Sequence, residues 1–209
     1  MQNNYLYFLE DKPYLNLTNK CTNSCVFCVR DIKDDVVGAN LWLGGKTAPQ
    51  DAISQFDDNA KARVEKAGEI TFCGYGEPLL EADALIEVAK YIRAEFPNVK
   101  IRINTNGHAK LALKRDILPE LVGLIDVISV SLNAQDEETY NKVSKPNLNG
   151  AYNAVLDFIS QCVELGFETV ASVVVGFDDN IFIDTVKCEE IVKSLGAKFR
   201  IRQWIKEGY

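Results

Sequence analysis

Tyr14-Leu15-Asn16-Leu17-Thr18-Asn19-Lys20-Cys21-Thr22-Asn23-Ser24-Cys25-Val26-Phe27-Cys28 is the stretch on which the reading of this chain turns. It opens as a strand: Leu15 and Leu17 alternate with Asn16 and Thr18, the period of a half-buried extended segment. It closes on three cysteines spaced C-x-x-x-C-x-x-C. Thiolate is a soft ligand, and close groups of it select zinc or iron–sulfur centres. A cubane has four irons, each wanting a ligand. Three local thiolates leave one iron open, and an open position belongs to catalytic rather than structural metal centres. A zinc knuckle with Cys73 as fourth ligand, or plain buried thiols, are the competing readings. A strand running directly into such a loop sets the metal at its carboxyl end, where α/β barrels carry their active sites.

Outward from that stretch, short β-like runs alternate with longer helical ones. Strands are expected over 14–18, 69–73, 100–105, 127–133, 169–175 and 198–204, and helices over 48–66, 81–95, 111–121, 149–165 and 184–195. That alternation implies βαβ units and a parallel sheet. Thr47 with Gln50, and Pro49 between them, read as a capping box that starts the first helix. Gly68, Gly166 and Gly196 sit where helices should stop, and Pro97 ends the second.

Along the strands one face is apolar and the other polar. Ile128, Val130 and Leu132 oppose Ser129, Ser131 and Asn133; Ile101 and Ile103 oppose Arg102 and Asn104; Ile70 and Phe72 oppose Thr71 and Cys73; Phe199 and Ile201 oppose Arg200 and Arg202. A parallel strand covered on both faces should be apolar throughout. The pattern therefore predicts an α/β fold, an incomplete (β/α)6 barrel with parallel strands inside and helices outside, whose inner face lines a wet cavity. Exposed edge strands with ordinary polar faces are the alternative.

The chain has 209 residues, enough for one domain, 47% of them hydrophobic. Its net charge of −7 and pI near 4.9 disfavour binding to a nucleic-acid backbone. Residues 1–10 have no basic start and too short an apolar run for a signal peptide, and no run approaches a membrane span, so a cytoplasmic protein is expected. Cys73, Cys162 and Cys188 are scattered, which speaks against a disulfide framework in a reducing compartment. His108 is the one histidine; it is read as a surface loop residue, with a general base as the alternative.

The C-x-x-x-C-x-aromatic-C loop, with Phe27 as the aromatic, resembles that of the radical SAM superfamily. The likeness runs over nearly the whole chain, about the length of that superfamily's minimal barrel. It implies a 4Fe-4S cluster on Cys21, Cys25 and Cys28, and S-adenosylmethionine (SAM) on the open iron. Gly74-Tyr75-Gly76-Glu77-Pro78 is similar to the family's SAM-amino motif. Glycines let carbonyls approach an ammonium group closely, and a carboxylate attracts it. The resemblance further implies polar groups for the methionine moiety and ribose at Asn104, in Asn104-Thr105-Asn106-Gly107, and at Ser129, Ser131 and Asn133. It places adenine packing near Val175. Tyr5-Leu6-Tyr7, Thr18-Asn19-Lys20 and Leu41-Trp42-Leu43 resemble the small TatD-linked radical SAM group.

The domain is expected to span 1–209, with a cluster-binding loop at about 19–46. The expected activity is reductive cleavage of SAM, with a 5′-deoxyadenosyl radical taking hydrogen from a small, anionic substrate. Arg200, Arg202 and Arg102 are the candidate anion contacts. A reductant such as flavodoxin or ferredoxin is the implied partner. An activase acting on a glycyl-radical enzyme, and a non-catalytic iron–sulfur or zinc accessory protein, are the alternatives. Cys73 is read as a small buried thiol or a hydrogen-atom donor.

Overall fold

Six segments read as strands pair side by side in chain order. The structure, a computed structural model, describes residues 3–32, 35–36 and 38–205. Lys33, Asp34 and Val37 of the expected cluster loop, and residues 1–2 and 206–209, lie outside it. Among the described residues one sheet has seven strands: β1 (Leu6–Leu9), β2 (Lys12–Leu15), β3 (Glu69–Phe72), β4 (Lys100–Thr105), β5 (Val127–Ser131), β6 (Glu168–Val175) and β7 (Lys198–Gln203). Their order in space is their order in the chain. β2 to β7 are parallel, and β1 pairs antiparallel with β2. The expected six parallel strands are present; β1 is an addition, joined to β2 by a tight turn at Glu10, which adopts a positive φ of 55°.

The helices are α1 (Pro49–Ile53), α2 (Asp58–Ala67), α3 (Ala82–Glu95), α4 (Ala109–Leu113), α5 (Leu118–Leu121), α6 (Glu137–Ser144), α7 (Ala151–Glu164) and α8 (Thr185–Ser194). The alternation rule sorts the two sheet faces. Ile70, Phe72, Ile101, Ile103, Ile128, Val130, Ala171 and Val173 are fully buried in one core with Leu85, Val88 and Ile92 of α3 and Val155 and Ile159 of α7. That burial is the main stabilising term of the fold.

Three local expectations are corrected. The helix expected over 48–66 is two helices, because Asp57 caps α2 by accepting from the Ala60 N–H at 2.8 Å. No capping box forms at Thr47: its hydroxyl donates to the Leu17 carbonyl, and Gln50 bonds Glu87 instead. The helix expected over 111–121 is split by Lys114, which adopts a positive φ of 52°. Between β5 and α7 stands α6, which was not expected, capped by Asp136 on the Thr139 N–H at 2.8 Å.

The inner face is polar over β4 and β5, but not everywhere. Against the β1–β2 hairpin it is filled by a second apolar cluster of Tyr7, Val36, Leu41 and Tyr75, with Tyr14 stacked on Tyr7 at 5.4 Å. The loop after the cysteines therefore folds into the open side of the hairpin and closes that end of the cavity. At the opposite end β7 is exposed apart from Phe199, which packs on the core.

Candidate functional site

Cys21, Cys25 and Cys28 all lie in the loop that follows β2, at the carboxyl ends of the parallel strands. Backbone bonds hold that loop against the end of α6. The Ser24 N–H donates to the Ser144 carbonyl (3.0 Å), the Val26 N–H to the Val143 carbonyl (2.9 Å), and the Asn147 N–H to the Thr22 carbonyl (2.9 Å). A single 3₁₀ turn, Val29–Asp31, follows the third cysteine.

The thiols influence one another. Burial pushes all three upward from the ordinary cysteine range. Cys25 is pushed up to about 12, first by burial and then by Cys28 and Cys21. Arg30 works the other way on Cys21 and Cys28; its guanidinium is held by the carbonyls of Asn19 (3.3 Å) and Tyr75 (3.4 Å). A half-buried trio of thiols resists holding three bare negative charges but accepts them when bound iron supplies the positive charge. The donor set therefore fits an iron–sulfur cluster. Among the described residues no three His, Cys, Asp or Glu groups converge closely enough to hold one metal ion. Thiolates on a cubane each take a separate iron and need no common point.

The Gly74–Glu77 turn after β3 is locked to this loop. The Glu77 N–H donates to the Lys20 carbonyl at 2.7 Å, one residue before Cys21. A Cβ on Gly76 would overlap the carbonyl oxygens of Thr18 and Lys20, and one on Gly74 would overlap the Asn16 side chain. Glycine is required at Gly76 by the close approach of backbone and at Gly74 by the buried Asn16 side chain, not by an unusual φ. Asn16 donates to the Leu41 carbonyl at 2.7 Å, while its own oxygen is buried without a partner. Tyr7 donates to the Cys73 carbonyl at 3.0 Å, and Trp42 stands edge-on to Tyr75 at 5.1 Å.

Glu77 is 3% exposed and takes three hydrogen bonds: from Thr105 Oγ1 (2.7 Å), the Asn106 N–H (2.6 Å) and the Leu79 N–H (3.1 Å). Burial nevertheless pushes it up to about 7, with these donors opposing. It ties the end of β3 to the end of β4, and it lies close enough to Cys21 to raise that thiol.

The other named residues fall into three groups. Asn104, Ser129 and Ser131 line the half-open inner face, and Asn104 hydrogen-bonds the Cys73 thiol. Phe27 packs on Phe177 at 5.0 Å, and Val175 joins the same apolar edge. Asn133, at a positive φ of 64°, ends the strand early and turns its amide to Ser144 Oγ at 3.1 Å. Of the arginines, Arg102 pairs with Glu69 at 2.9 Å near the amino ends of the strands, away from the cysteines. Arg200 and Arg202 are exposed on β7, and Arg202 is near enough to lower the Cys73 thiol against the dominant upward push of burial.

His108 is not on the surface. It is fully buried between Thr22 Oγ1 (2.9 Å) and Tyr140 Oη (2.8 Å). Burial pushes it down to about 4, against a bond to the Ala151 backbone. Thr22, Arg30, Asn106, Tyr140 and Ser144 complete the surroundings of the cysteines. The sequence signal for the last two was the Asp136-Glu137-Glu138 helix start, a cap followed by an acidic first turn.

The model of the Radical SAM superfamily matches residues 15–187. The chain is 24% identical over 177 residues to an uncharacterised protein of Methanocaldococcus jannaschii, covering 84% of this chain and 52% of that one. It is 28% identical over 162 residues to a GTP 3′,8-cyclase of Lactiplantibacillus plantarum, covering 78% and 44%. It thus spans about half the length of the curated relatives it matches. The fold is shared with anSMEcpe, solved with bound AdoMet, at a TM-score of 0.60 and 16% identity, over 92% of this chain and 50% of that one.

Proposed function

The chain belongs to the radical SAM superfamily, enzymes that bind a 4Fe-4S cluster and SAM, and from that premise we propose that Cys21, Cys25 and Cys28 hold three irons of the cluster while the inner face of the sheet receives SAM and a small, anionic substrate. When bound, the two cofactors supply reductive cleavage of the sulfonium and a 5′-deoxyadenosyl radical that takes hydrogen from the substrate. The observation that carries the reading is the fastening of the cysteine loop to the Gly74–Glu77 turn through the Glu77 N–H and the Lys20 carbonyl.

The chain's own residues divide the work. Carbonyls of the Gly74–Glu77 turn, free of any Cβ at Gly74 and Gly76, offer acceptors to an ammonium group, and the Glu77 charge beneath favours it. Asn104, Ser129 and Ser131 offer hydrogen bonds to a carboxylate and ribose, with Asn133 as support through Ser144. Phe27, Val175 and Phe177 offer an apolar shelf for adenine. Tyr75, backed by Trp42, shields the turn from water.

Arg202, with Arg200 beside it, is the proposed anion contact. It lies near enough to Cys73 to lower that thiol against the upward push of burial. Arg102, already paired with Glu69, closes the floor. The matched GTP 3′,8-cyclase is named for a phosphate-bearing small molecule, which supports an anionic substrate. Further parts of the reading are a single core domain over 1–209, membership of the small TatD-linked group, and a cytoplasmic location with flavodoxin or ferredoxin as reductant. Among the described residues no helix is long and apolar enough to cross a membrane.

The test is anaerobic reconstitution with iron and sulfide, reduction, addition of SAM, and assay for 5′-deoxyadenosine. Formation of that product is expected. Stoichiometric zinc with no cluster and no cleavage overturns the reading. A glycyl-radical signal on mixing with a partner protein would replace the small substrate by a protein one.

A further inference from the structure

Behind the cysteine loop lies a run of polar side chains that no step above uses. Thr22, Asn23, Asn106, His108 and Tyr140 are all buried, His108 and Tyr140 fully. Buried polar groups persist where they are mutually satisfied, and here the donors can be counted through.

Asn106 is oriented by its own oxygen, which accepts from the His108 N–H at 3.0 Å. Its amide then donates to Thr22 Oγ1 at 2.9 Å and to Cys21 Sγ at 3.7 Å. Thr22 Oγ1 also bonds His108 Nδ1 at 2.9 Å, and His108 Nε2 bonds Tyr140 Oη at 2.8 Å. The Tyr140 oxygen also accepts from Asn23 Nδ2 at 3.3 Å. The run therefore leads from Asn106 through Thr22, His108 and Tyr140 to Asn23, and both of its ends touch the Cys21 sulfur. The Asn23 N–H adds a second donor to Cys21 Sγ at 3.4 Å.

We propose that the Asn106–Thr22–His108–Tyr140–Asn23 run is a positioning network that fixes hydrogen-bond donors on the sulfur of Cys21 and so sets the reduction potential of the cluster. It rests on the ligation of the cluster by Cys21, Cys25 and Cys28. Hydrogen bonds to cluster sulfurs draw off negative charge and favour the reduced form. His108 serves as a neutral two-ended bridge, a task that its burial suits, and not as a proton carrier. It is a positioning residue, since it does not touch the sulfur.

The test uses the full chain, reconstituted with iron and sulfide and titrated by EPR against potential, without SAM or substrate. Tyr140→Phe keeps the ring and removes the hydroxyl. Thr22→Val removes the hydroxyl that holds the Asn106 amide. Tyr152→Phe is the control: the same change on a ring 5.5 Å from Tyr140, outside the network. Both network variants should hold iron as the wild type does but titrate at a more negative potential, with altered g-values, while Tyr152→Phe stays at the wild-type potential. Unchanged potentials in clustered Tyr140→Phe and Thr22→Val overturn the proposal. So does loss of the cluster in both, which would leave the network a scaffold alone. A wild-type chain that takes up no cluster overturns the ligation reading itself.

Discussion

The two flanks of the cavity are built on opposite terms. At the β2–β5 mouth, among the described residues, the oxygens of Asn16 and Asn23 are the buried side-chain atoms left without a partner. At the β7 edge the strand is exposed apart from Phe199, with Arg200 and Arg202 on it. The first flank is over-determined and so tolerates little change. The second pairs in the sheet with β6 alone and packs on α8, which leaves Arg200 and Arg202 free to meet something else. A generic reaction centre belongs on the first, and recognition of a particular substrate on the second.

Substitutions on the two flanks should therefore differ in kind, and the largest effect comes from the first. Cys25→Ala should abolish iron uptake and 5′-deoxyadenosine formation together, read by iron analysis and product assay; a variant that keeps both would move the cluster elsewhere. Gly76→Ala comes next. The new methyl has backbone carbonyls against it, so a destabilisation of about 2 kcal/mol or more is expected in urea unfolding. Gly44→Ala, whose Cβ would meet only Asn3 at an ordinary 3.6 Å, is the tolerant comparison.

A third prediction concerns pH in the metal-free chain. Glu77, raised to about 7, contributes stability below its unfolded value of 4.5 and loses it as pH rises to 7. His108, lowered to about 4, contributes stability above its unfolded value of 6.5 and loses it as pH falls to 4. Between those limits the two oppose each other. Each is worth about 1.4 kcal/mol per pH unit at most, so the wild type should be nearly flat from pH 4.5 to 6.5. His108→Gln should lose stability as pH rises over that window, and Glu77→Gln should gain it. Parallel profiles for all three proteins would remove these groups from the account.

The smallest effect belongs to the open flank. Arg202→Ala should change unfolding free energy by no more than about 0.5 kcal/mol and leave SAM cleavage in place. Cys73 should react a few-fold more slowly with an alkylating reagent at pH 8, because a cation that lowers that thiol is gone. A large loss of stability would mean that β7 is as fixed as the mouth, and the contrast would fail.

The sequence carried the period-two pattern, and with it the sheet, its parallel sense and the outer helices. It also carried the cysteine loop and the glycine turn, because spacing and residue type are local. What it hid was long-range. Nothing near His108 announces that Thr22 and Tyr140, 86 and 32 residues away, flank its ring. A histidine after Asn106-Gly107 reads as a turn until those partners arrive. Arg102 sat on the polar face as expected, but its partner Glu69 is 33 residues earlier, and that pairing took it out of the open cavity. The break in the first helix was legible in Asp57, a residue type that caps helices and does so here for α2. The apolar fill beside the hairpin depends on Tyr7 and Tyr14, whose strands were too short to weigh by pattern.

Strand order equal to chain order has a consequence for how the protein is made. Each strand pairs with one already synthesised, so the sheet can extend from its first edge while the chain is still growing. The cysteine loop does not follow that schedule. Its clamps are the carbonyls of Val143 and Ser144 and the N–H of Asn147, and these emerge after β5 is complete. Until then the three thiols hang on a loop without a backing. Iron supplied before residue 147 has emerged therefore meets a flexible ligand set, and iron supplied later meets a rigid one. The timing of cluster insertion is in this sense written into the distance between a loop and the helix that holds it.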